Sequence, residues 1–78
     1  MTRVVVTVMP RAEILDPQGQ TVVRALQTMG FDDVADVRIG KQIVLDLSGD
    51  DPEGEARQMC ERLLVNRLVE DYEIEVRG

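Results

Sequence analysis

The side chains here with chemistry to offer are one cysteine, one lysine and fifteen carboxylates. Cys60 has no histidine anywhere in the chain to activate it. Neither a Ser–His nor a Cys–His dyad can form, and no imidazole is available as acid or base. The thiol falls between Met59 and Leu63 on an apolar stripe, where a small buried hydrophobe is expected rather than a nucleophile. One cysteine without histidine also excludes the usual zinc, iron–sulfur and copper ligand sets from a single chain. It excludes an intrachain disulfide as well.

Gly40-Lys41 is similar to the end of a phosphate loop, but Ala35 stands where the first glycine should be and Gln42 where Ser or Thr should be. A solvated turn tip is the better expectation. Arg38 and Lys41 bracket that turn in an acidic chain. The placement suits docking onto an acidic partner, or onto the chain's own last strand. A calcium loop read from Asp46 fails, because Asp51 occupies the glycine position and Arg57 the bidentate glutamate position. Glu70, Asp71, Glu73 and Glu75 form an acidic face, expected as a solvated face or a guard against edge pairing.

The chain has 78 residues, 44% hydrophobic and 31% charged, a globular composition for one domain spanning 1–78. A domain this small buries only about 60–65% of its unfolded surface, so self-association is the expected supplement to a thin core. The net charge of −6 and only two aromatics, Phe31 and Tyr72, argue against nucleic acid. The apolar run Val4 to Met9 is too short for a membrane span or a signal-peptide core, so a cytoplasmic protein is expected.

The elements that must position these residues are well punctuated. Arg3 to Met9 is almost wholly β-branched and predicts a strand buried on both faces, ended by Pro10. Asp16-Pro17 predicts a helix start, followed by a stripe of Val22, Ala25, Leu26 and Met29. Gly30 is expected in the left-handed position of a Schellman ending, with Phe31 behind it. Val34 to Ile39 and Gln42 to Leu47 flank Gly40-Lys41 and predict a tight hairpin, or one long bent strand. Asp51-Pro52 repeats the start signal ahead of Ala56, Met59, Cys60, Leu63 and Leu64, a second helix to about Val65. Asn66 is expected as a left-handed terminator. The last strand alternates, with Tyr72, Ile74 and Val76 on one face.

The order strand–helix–strand–strand–helix–strand predicts an α+β, ferredoxin-like fold, a four-stranded antiparallel sheet with two helices on one face. Asp16-Pro17-Gln18-Gly19 and Asp51-Pro52-Glu53-Gly54 match in type, two uses of one helix-start device.

Ile14 to Gly19, Met29-Gly30-Phe31, Val37 to Lys41 and Asn66 to Glu73 together resemble the PurS family, the small subunits of multi-subunit phosphoribosylformylglycinamidine synthase. The resemblance runs from Val4 to about Val76, with Glu13 departing from the family's glycine. It implies a subunit without an active site or cofactor of its own, forming dimers or higher oligomers such as tetramers. It also implies that the subunit bridges a glutaminase subunit and a large synthetase subunit, where ATP and magnesium act, and helps ammonia pass between them. The interface candidates are Arg38 and Lys41 at the turn, with Asn66 and Tyr72 at the last helix–strand junction. The alternative is a free-standing dimeric regulatory module that binds a small metabolite.

Overall fold

The computed structural model describes all 78 residues, Met1 to Gly78. Three strands, β1 (Thr2–Pro10), β2 (Lys41–Leu47) and β3 (Glu70–Arg77), form one antiparallel sheet in the order β2-β1-β3. The valine-rich run is the central strand, as its composition predicts. Its core face carries Val4, Val6 and Val8, all essentially inaccessible. Val4 pairs with Leu45 and Val76, Val6 with Ile43 and Ile74, and Val8 with Lys41 and Tyr72. Directly opposed residues share a face, so this register collects the apolar side chains of all three strands on one side. Val5, on the other side, is covered between its neighbours Val44 and Glu75.

Both helices start with one device. α1 (Pro17–Thr28) is capped by Asp16, which accepts from the Gly19 N–H at 2.9 Å, and α2 (Pro52–Met59) by Asp51, which accepts from the Gly54 N–H at 3.1 Å. Proline fills the first helical position of each, where no N–H is required. α1 ends in the expected Schellman motif, with the Phe31 N–H donating to the Leu26 carbonyl and the Gly30 N–H to that of Gln27. Gly30 has φ +100°, a conformation that glycine adopts without a Cβ clash.

The second helix departs from its simple α-helical prediction. After Met59 the chain widens into a π-turn over Cys60–Leu64, closed by the Val65 N–H donating to the Cys60 carbonyl. The extra residue rotates everything beyond it. Leu63, expected on the buried stripe, is 83% exposed, and Val65 takes the inward place with Ala56 and Cys60. Burial pushes the Cys60 thiol pKa up, with the Glu61 charge adding to it, in keeping with a packed rather than reactive thiol.

The hairpin and the long bent strand predicted around Gly40-Lys41 are both corrected. Val34 to Ile39 forms no strand, so the protomer has three strands and the element order β-α-β-α-β. The reason lies in where this segment's backbone groups go. The Ile39 N–H donates to Asp16 Oδ2 at 2.7 Å, and the Val34 carbonyl accepts from Gln27 Nε2 at 3.3 Å. The segment is a strap held against α1, with groups committed there that a ladder would need. α2 packs against β1 and β3, whereas α1 has no comparable partner in the sheet. The molecule is accordingly long and flat, 50 × 26 × 13 Å.

Candidate functional site

Asp16 organises the end of the molecule beyond the sheet. Its carboxylate is buried and takes one backbone N–H on each oxygen, from Gly19 and Ile39. These bonds, the one from Ile39 first, hold its pKa below the usual carboxylate range, with a smaller contribution from the Arg38 charge. Gly19 is required by the same junction, because a Cβ there would overlap the Val37 carbonyl oxygen. Gly40 is required one step later, because a Cβ there would collide with the Val8 carbonyl and the Met9 sulfur. Asp16, Gly19 and Gly40 therefore lock the strap to α1 and to the edge of β1.

Arg38 leaves the strap inward, and its Nη2 donates to the Arg11 carbonyl at 2.6 Å. The Arg11 N–H donates to the Val69 carbonyl at 2.9 Å, tying the strap to the entry of β3. The Arg11 side chain reaches toward Asp71, 3.7 Å away, while its buried Nε has no hydrogen-bond partner. Lys41 opens β2, is exposed and makes no ion pair within the chain. Lys41 and Tyr72 flank Val8 from opposite strands on the same face, about 10 Å apart from strand spacing alone. Lys41 and Glu70 line one cleft with Gln18 and Ile39, with β1 between their strands.

Asn66 is not left-handed, since no residue other than glycine has a positive φ. It builds a turn instead. Its Oδ1 accepts from the Leu68 N–H at 3.2 Å, and its own N–H donates to Glu70 Oε1 at 2.8 Å. The Tyr72 hydroxyl donates to Glu61 Oε2 at 2.7 Å, and Arg67 pairs with the same carboxylate while stacking 5.7 Å from the Tyr72 ring centroid. The tyrosine's bond is the first cause of the lowered Glu61 pKa, and the Glu61 carboxylate raises that of Tyr72 in return. All four predicted residues thus gather at the Pro10 end of the sheet. Lys41 alone has no partner within the chain there.

The Asp16-Pro17 pair predicts a helix cap alone; the second bond of Asp16 runs to a residue 23 positions away, which only the tertiary fold brings near. A signal was present in Gly19, since a glycine inside a first helical turn marks a close approach. Arg11 and Glu61 carried no local signal.

No group of three or more His, Cys, Asp or Glu side chains is arranged to hold a metal ion. No helix is long and apolar enough to cross a membrane. Fold and site define a small α+β protein whose distinctive residues fix backbone and shape surface. The chain belongs to the PurS family, for the family model described as "PurS: Phosphoribosylformylglycinamidine (FGAM) synthase" matches residues 3–78. It is 45% identical to the phosphoribosylformylglycinamidine synthase subunit PurS of Mycobacterium leprae over 95% of this chain and 94% of that one. Among solved structures, Bacillus subtilis PurS superposes with a TM-score of 0.92 at 41% identity, each chain covered completely. A chain of PurLQS from Thermotoga maritima superposes with a TM-score of 0.81 at 32% identity, covering 97% of this chain and 96% of that one.

Proposed function

We propose that this chain is the non-catalytic bridging subunit of a glutamine- and ATP-dependent phosphoribosylformylglycinamidine synthase of purine biosynthesis, a cytoplasmic ligase complex. The observation that carries the proposal is the end-to-end match to a chain that is itself part of a solved PurLQS complex. The 78 residues act as one small domain that associates with itself, with a glutaminase subunit and with a large synthetase subunit. ATP and magnesium belong to the synthetase partner.

The physical role is containment of ammonia. Ammonia released at one site must reach the next before it is protonated or escapes, so the two sites must be held together. This chain offers surfaces suited to that task. β2 and β3 present unpaired edges that can accept further strands. Arg38, Lys41, Asn66 and Tyr72 are the proposed contact residues, with Lys41 free to meet a carboxylate of a partner. The ferredoxin-like layering lacks one strand and one sheet-packed helix in the single copy, and self-association supplies what is missing.

The test is assembly. Glutaminase and synthetase subunits from the same organism should co-sediment as one species when this chain is added, and separately without it. Identical sedimentation in both mixtures would contradict the bridge.

A further inference from the structure

Arg57 is placed to pair with a carboxylate of its own helix and does not. Glu53 and Glu61 each stand four residues from it, the spacing at which a helix brings opposite charges together. Neither forms an ion pair with it. The helix widens into its π-turn at Cys60, and Glu61 serves Tyr72 and Arg67 instead. The Arg57 guanidinium lies near enough to the Tyr72 hydroxyl to oppose the rise in its pKa. Arg57, Arg67, Asp71 and Tyr72 line an open cleft of 380 Å³ between α2 and the start of β3. Asp71 is the one carboxylate on its wall, and Arg11 stands 3.7 Å from it.

The turn beside the cleft holds one large apolar side chain out in solvent. Leu68 is 86% exposed. Its place is fixed, because Asn66 Oδ1 accepts from the Leu68 N–H and the Asn66 carbonyl from the N–H groups of Val69 and Glu70. A leucine presented on a hydrogen-bonded turn loses little further backbone freedom when another surface covers it. Arg67 precedes it in the chain and is itself held in place, over the Tyr72 ring and against Glu61.

We infer that the Arg57–Arg67 cleft and Leu68 form one docking surface for a partner subunit, in which Arg57 takes a carboxylate of that subunit and Leu68 enters an apolar pocket next to it. The chemistry of the occupant follows from the surface. A guanidinium without a partner calls for an oxyanion, and its planar fork fits a carboxylate through two parallel hydrogen bonds. The cleft is open and walled by four residues, whereas sites for small metabolites enclose most of the ligand. A well-placed apolar anchor flanked by arginine is the composition of a protein contact. The surface is also continuous with Asn66 and Tyr72, which are proposed above as contact residues.

This surface rests on the bridging role proposed above, and the experiment separates the two. Arg57→Glu and Leu68→Ser are made in the full chain, both at exposed positions, and should melt with the parent. Binding of each to the glutaminase and to the synthetase subunit is measured by calorimetry at low and high salt, with sedimentation of the chain alone in parallel. Each variant should bind one and the same subunit about tenfold more weakly or worse. The loss from Arg57→Glu should shrink at high salt and that from Leu68→Ser should not. Arg57→Lys, which keeps the charge without the fork, should recover only part of the affinity. Parent-like affinity of either Arg57→Glu or Leu68→Ser for both subunits would overturn the docking surface and leave the bridge standing. A parent chain that binds neither subunit would overturn both. A changed sedimentation of either variant alone would put a second copy on this surface and overturn the assignment to a partner subunit.

Discussion

Asp16 concentrates three tasks in one carboxylate: it starts a helix, anchors the strap and faces Arg38. Its lowered pKa fixes the sign of a pH effect. The stabilisation it provides is complete above the unfolded value, about pH 4, and is lost as pH falls through the folded value. Asp16→Asn should therefore lower Tm by several degrees at pH 6, and the gap from the parent should narrow as pH falls below the ordinary carboxylate range. Thermal melts between pH 6 and 2.5 check this, and a gap independent of pH would count against it. The two N-terminal glycines should differ as well. In Gly19→Ala the new Cβ meets backbone at Val37, whereas in Gly54→Ala it meets the Asp51 side chain, which can turn away. Gly19→Ala should cost roughly 1–3 kcal/mol, and Gly54→Ala clearly less, as measured by urea unfolding.

At the scale of elements, the π-turn decides which residues at the end of the second helix are core. Val65 is buried where Leu63 is not, so Val65→Ala should cost about 2 kcal/mol through lost burial and a cavity. Leu63→Ala should leave the protomer's own stability nearly unchanged. The reverse order would mean an ordinary helix carried through to Val65. The strands at both termini, both helix starts and the Schellman ending were legible in the sequence, because each is set by local chemistry: β-branching, an Asp-Pro cap, a glycine after the stripe. The strap and the π-turn were not. Val34 to Ile39 has strand-like composition, and it is drawn away from a ladder by Asp16 and Gln27, partners that only the tertiary fold brings near. The Pro10 end of the sheet was legible in part. Arg38, Lys41, Asn66 and Tyr72 do gather there, but the bonds of Asn66 to Glu70 and of Tyr72 to Glu61 depend on a turn and a helix widening that no sequence pattern announces.

The whole molecule is too extended to be explained as a solitary domain. Its radius of gyration of 15.9 Å compares with about 11.5 Å for a compact chain of this length. The proposed self-association would couple folding to association, so Tm should rise with protein concentration, by several degrees across a hundredfold range. A concentration-independent Tm in calorimetry would contradict the coupling. Replacing Arg38 and Lys41 together by Glu should weaken partner binding about tenfold or more, with an effect that shrinks at high salt. Arg38→Glu alone should also cost stability, because its guanidinium holds the Arg11 carbonyl.

The proposed bridge joins two active sites and contributes none itself. Formation of phosphoribosylformylglycinamidine by the glutaminase and synthetase subunits, with and without this chain, tests it most directly. Glutamine should support the reaction only when the chain is present, while ammonium supplied in solution should support it in both cases. Equal glutamine-dependent rates with and without the chain would contradict the claim.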